Sequence, residues 1–179
     1  GGRYERITRG QPTGFNPFRL PDTPVNRAFL KEWLSLLLEA NGPEEETDIA
    51  KAIDEIYAHG PELRRLRFLR DLLGGGRRPQ PGDLPSRLDP WIFDGERAWL
   101  FDNREDELDF DNRVLGFDMT ELLEDRRLRT PVLLYLFHRI EDRLDGNPTM
   151  ILIDEAWKAL DDPMFAARIR NWMKTLRKR

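Results

Sequence analysis

Cysteine is absent from the 179 residues, and histidine occurs only as His59 and His138. Disulfides and thiolate metal centres are therefore excluded, and two histidines are too few for a histidine-based zinc site or a Ser-His-Asp arrangement. No apolar stretch nears the roughly 20 residues a helix needs to cross a bilayer, and the opening Gly1-Gly2-Arg3-Tyr4 does not read as a signal peptide. The expectation is a soluble chain whose membrane association would be peripheral, and the missing thiols suit a reducing cytoplasm. A basic excess is lacking too: the net charge is −4, without the global signature of a nucleic-acid binder. Lysine is scarce, 5 residues against 24 arginines.

What is present is enough apolar material for a core, 39% of residues with five Trp and ten Phe, alongside 35% charged residues. That suits one globular domain, or a domain with a subdomain. The arginines cluster at Arg64, Arg65, Arg67 and Arg70, at Arg126, Arg127 and Arg129, and at the C-terminus. Two readings stay open for them: solvated or ion-paired faces, or contacts with phosphate or a partner. No internal repeat is found.

Periodicity gives a coarse map. Residues 3–7 read as a strand, and the Pro and Gly density of residues 10–18 as a shaped loop. Helices are predicted over 26–40, from about Thr47 to Gly60, and over 61–73, with Leu63, Leu66, Leu69 and Leu73 on one stripe. Residues 74–85 read as a loop. Residues 91–93, 98–101 and 114–117 are β-compatible. The acidic group Asp102, Glu105, Asp106, Glu107, Asp109 and Asp111 lacks calcium-loop spacing and reads as a solvated turn. A buried helix is predicted from Pro131 to Leu144, with His138 as a hydrogen-bonded core residue. A strand over Met150–Ile153 and a helix over 163–177 follow, and the order favours α/β.

The run Met150-Ile151-Leu152-Ile153-Asp154-Glu155 carries the chemistry. A short apolar strand ending in adjacent carboxylates can deliver Asp to a Mg²⁺ shell and Glu to an attacking water. The competing reading is structural: Asp154 caps the next helix and Glu155 favours its N-terminal dipole. The usual partner, a G-x-x-x-x-G-K-S/T loop for the phosphates, is missing, and Gly74-Gly75-Gly76 leads only into Arg77-Arg78-Pro79. Lys174, Arg177, Lys178 and Arg179 crowd the end of the last predicted helix, where cations suit the dipole. The sharper reading gives them phosphate or partner contacts.

Several motifs in order resemble one family: Gly1-Gly2-Arg3-Tyr4, Gly14-Phe15-Asn16-Pro17-Phe18, Leu115-Gly116-Phe117-Asp118-Met119-Thr120, the run from Pro131 to Arg139, Ile153-Asp154-Glu155-Ala156-Trp157-Lys158, and Leu176-Arg177-Lys178. These are similar to the CagE/TrbE family of type IV secretion and conjugal-transfer ATPases, hexameric RecA-like motors. The resemblance implies an α/β fold, a partial RecA-like P-loop ATPase sheet formed by residues 1–20 and 91–179, with a helical insertion subdomain over 21–90. It implies ATP and Mg²⁺ as cofactors of the full-length protein, Asp154 in the Mg²⁺ shell and Glu155 as general base (Walker B). It further implies homo-hexamers, other secretion components as partners, and peripheral placement at the cytoplasmic face of the bacterial inner membrane. On this resemblance the chain runs from after the phosphate-binding loop to just past the acidic pair, and would not hydrolyse ATP alone. A non-enzymatic module docking other channel components is the alternative, and nucleic-acid binding a third.

Overall fold

A computed structural model describes residues 1–144, 149–155, 157, 160, 161, 163, 165–167, 169 and 170. The fold is mixed α/β, with its elements in two compact units: residues 1–7 with 110–179, and the continuous stretch Thr8–Asp109. Within the second unit, segments 8–20 and 91–109 bond to each other.

In the first unit, β1 (Gly2–Arg6) pairs in parallel with β2 (Val114–Asp118), Gly2 opposite Val114 and Arg6 opposite Asp118. Parallel pairing needs a crossover, and the second unit lies in sequence between these strands. Tyr4 lies over Gly116, where an added Cβ would stand 3.2 Å from the ring. After a short α6 (Thr120–Leu123) comes α7 (Arg126–Arg143), whose Asp125 cap accepts the N–H of Arg127 at 3.1 Å. The helix thus begins before the predicted Pro131, which lies inside it and removes one backbone donor. Residues Thr130 to His138 are buried, as their apolar run predicts. Leu133, Phe137 and Phe165 form a core joined by Met119, Ile140, Leu144, Ile151 and Ile169. Positions 163, 165–167, 169 and 170 are helical; the rest of the predicted 163–177 helix lies outside the described residues.

The helical unit contains α1 (Pro24–Leu37), α2 (Gly42–Ala58), α3 (Leu69–Gly74), α4 (Leu84–Leu88) and α5 (Ala98–Phe101). Thr23 caps α1 through the N–H of Asn26, and Pro24 fits a first turn that needs no N–H. Its stripe Phe29, Leu30, Trp33, Leu34 and Leu37 is buried. Trp33 is fully enclosed, its ring meeting Phe101 at 4.8 Å and Phe18 at 6.3 Å, both edge to face. Asn41-Gly42-Pro43, expected as the stop of the first helix, follows the end of α1 and also opens α2, earlier than the predicted Thr47: Pro43 sits in its first turn and Glu45 accepts the Asn41 N–H at 2.7 Å.

Other expectations need correction. The helix predicted over 61–73 is broken into two 3₁₀ turns and α3, with Arg65 extended between them. The leucine stripe survives, but Arg65 and Arg67 are drawn to a buried carboxylate, which a continuous helix would not allow them to share. Residues 91 and 98–101, taken as β-compatible, are helical turns. Short aromatic runs do not distinguish the two states until their neighbours are known.

Candidate functional site

Asp154 and Glu155 form a turn after an apolar run that was expected to be a strand. In the structure residues 150–153 carry no ladder. A strand needs a neighbour for its backbone groups, and among the described residues the only sheet is β1 with β2. Ile151 anchors the run on the Leu133–Phe137 core, whereas Met150 and Leu152 are exposed. Asp154 is exposed, and its Oδ1 accepts the Glu155 N–H at 2.8 Å. Glu155 is half-buried with φ 50°, a left-handed conformation unusual for a residue with a Cβ. The Asp154 carboxylate is exposed to solvent, and a hard carboxylate oxygen suits a cation's water shell. No group of three or more His, Asp or Glu placed to hold a metal occurs among the described residues. Lys174, Arg177 and Lys178 lie outside them.

The sheet offers a second carboxylate that sequence reasoning did not single out. Asp118 closes β2, at the strand end where parallel sheets present ligand sites. It accepts the Thr120 hydroxyl at 2.7 Å and the Thr120 N–H at 3.0 Å, and pairs with Arg6 Nε at 3.3 Å. The Thr120 hydroxyl first, then its N–H, hold Asp118 below the usual carboxylate range. The signal was the Asp-Met-Thr order, in which Asp and Thr two residues apart bond across a turn.

The Gly14–Phe18 motif is a structural knot in the helical unit. Asn16 is buried; its amide donates to the carbonyls of Asn103 at 2.9 Å, Arg64 at 3.0 Å and Arg104 at 3.2 Å, while its Oδ1 accepts the Phe18 N–H. Gly14 adopts φ +73°, and a Cβ there would stand 2.9 Å from that of Glu107.

Within the acidic group, Asp102 overturns the solvated-turn reading. Its side chain is 1% exposed and takes Arg65 Nε at 3.1 Å and Arg67 Nη2 at 2.9 Å. It also accepts the N–H groups of Arg67 and Phe93. A buried carboxylate is tolerable only when paired and hydrogen-bonded in this way. Through it the arginine cluster is partly absorbed by ion pairs, and Arg70 likewise pairs with Asp89 at 2.6 Å. Phe93 itself has φ 52° and remains 56% exposed, with the Arg67 guanidinium 4.7 Å from its ring centre. Left-handed backbone at such a residue costs about 1–3 kcal/mol, more than the roughly 0.5–1 kcal/mol of an exposed cation–π contact.

The fold and turn define an α/β chain carrying an acidic pair, Asp154 exposed and Glu155 half-buried, beyond an apolar run. No protein-family model matches the chain. Among curated proteins it is 38% identical to the type IV secretion system protein virB4 of Bartonella henselae, over 99% of this chain and 23% of that protein. It is 36% identical to virB4 of Brucella abortus and to PtlC, the type IV secretion system protein of Bordetella pertussis, with the same coverage. The chain belongs with these type IV secretion proteins as a relative of one segment, spanning about a quarter of their length.

Proposed function

We propose that this chain is a segment of a type IV secretion ATPase, and that the full-length protein uses ATP hydrolysis to power pilus assembly and export of protein or DNA. The observation that carries the reading is the match to type IV secretion proteins along 99% of the chain, which includes the acidic turn. Asp154 would hold a water of the Mg²⁺ shell and Glu155 would orient and deprotonate the attacking water. The solvent-exposed Asp154 carboxylate fits that duty. The sequence has no phosphate-binding loop, so nothing in it holds the β and γ phosphates, and the isolated chain is expected to be silent. In the full-length protein, residues 1–20 and 91–179 would belong to the RecA-like motor core, with 21–90 as the helical insertion. Hexamers at the cytoplasmic face of the inner membrane, contacting other secretion components, complete the reading.

The self-contained core of Thr8–Asp109 favours a second reading, a docking module without catalysis. ATP turnover separates the two. A longer polypeptide extended upstream through the phosphate loop should hydrolyse Mg²⁺-ATP and lose at least about a hundredfold in kcat with Glu155→Gln, the scale of lost acid–base catalysis. Unchanged turnover in that variant would refute the assignment of Glu155. Turnover by the 179-residue chain, abolished by the same substitution, would refute its predicted silence.

A further inference from the structure

The turn Ile92-Phe93-Asp94-Gly95 closes through the Gly95 N–H on the Ile92 carbonyl at 2.9 Å. Phe93 occupies its first inner position with φ 52°, where glycine, asparagine or aspartate is the usual choice. Gly95 cannot change, since a Cβ would come within 2.4 Å of the Asp89 carbonyl. The residues before the turn, Trp91 and Ile92, are buried, so the loop is anchored, yet the Phe93 ring faces solvent. Its N–H is held by buried Asp102 at 2.9 Å and its ring by Arg67. The fold therefore maintains a strained backbone and a buried ion cluster around a ring that contributes little to the core. Such a local conflict marks a functional position.

We propose that the Phe93 turn is a preformed docking point for a linear segment of a second protein that sets an apolar side chain beside a carboxylate. Charge selects that chemistry. Arg67 holds the Asp102 carboxylate through Nε and Nη2, while Arg65 gives that carboxylate only Nε and turns Nη2 to the Asp102 carbonyl, so a single carboxylate compensates two guanidinium groups. Asp94, next in the turn, is exposed, so the partner's carboxylate is expected opposite the arginines and away from Asp94. An aromatic ring beside a guanidinium, fixed before binding, is the usual make-up of an interface hot spot. The proposal goes beyond ATP hydrolysis and stands whether or not Glu155 is catalytic.

The test probes the full 179-residue chain with overlapping synthetic peptides covering the other proteins of its secretion system. Binding peptides should combine an apolar residue with Asp or Glu. Phe93→Asn should weaken them by about thirtyfold, the loss expected of a hot spot, while Phe93→Tyr retains binding. Asparagine tolerates left-handed backbone, so Phe93→Asn should melt at or above the wild-type temperature. A lowered melting temperature would show the ring to be structural and overturn the proposal. So would absence of any binding peptide, or binding indifferent to Phe93→Asn. Sedimentation in which Phe93→Asn dissolves a self-associated species, or Phe93-dependent binding only to anionic phosphatidylglycerol vesicles, would overturn the choice of partner.

Discussion

Replacing Asp102 tests how the helical unit is held. Asp102→Asn keeps the shape but removes the charge that compensates Arg65 and Arg67, and its amide would turn a donor toward at least one donor. Asp102→Ala removes every bond of the carboxylate at once and leaves Arg65 only its bonds to the residue-102 carbonyl. Breaking a buried pair from one side costs about 3–5 kcal/mol. Arg65 and Arg67 are 24% and 27% exposed, so water relieves part of the stranded charge, and the lower end, about 3 kcal/mol, is expected for Asp102→Ala. For a chain of this size each kcal/mol shifts Tm by about 2–4 °C, giving a fall of about 6–12 °C by calorimetry. Urea unfolding should show a lower midpoint at unchanged slope. The double variant with Arg67→Met should recover part of the loss, because one unpaired charge has gone. A single Asp102→Ala within about 1 kcal/mol of wild type would refute the keystone role.

Asn16→Asp, which sets a carboxylate against three carbonyls, should destabilise more than Asn16→Ala, itself about 2–4 kcal/mol by loss of buried bonds; equal urea midpoints for the two would contradict the donor assignment. Trp33→Ala should cost about 3–5 kcal/mol, as for other enclosed aromatics, and a change below 1 kcal/mol in thermal unfolding would show that the cavity collapses. Tyr57 donates to the Leu20 carbonyl at 3.0 Å, and burial pushes its hydroxyl from 10.0 up to about 12. Its folded pKa is raised, so its contribution is full below pH 10 and is lost as pH climbs toward 12. Wild type should therefore lose more stability than Tyr57→Phe across that window, and parallel pH profiles would disprove it.

Residues such as Thr23, Pro24 and the α1 stripe announce their helix because cap, first-turn proline and apolar spacing act within a few residues. The β1 strand and the burial of α7 were legible for the same reason. The start of α7 was missed because Pro131 drew attention from Asp125, a better cap. Asp102 was misread because the same acidic turn is solvated or buried according to whether arginines from elsewhere reach it, and those arginines lie 35 and 37 residues earlier. The role of Asn16 depends likewise on carbonyls about the fold, the farthest 88 residues away.

The sequence by itself determined the acidic pair, the family it points to and the apolar faces of α1 and α2, since local spacing and ordered motifs suffice for these. Only the tertiary structure decided that the arginine cluster closes on Asp102, that Phe93 is held outward on a strained turn, and that Met150 and Leu152 lie exposed. Burial, ion pairing and strand pairing each require a partner distant in the chain, and no local pattern specifies which partner arrives.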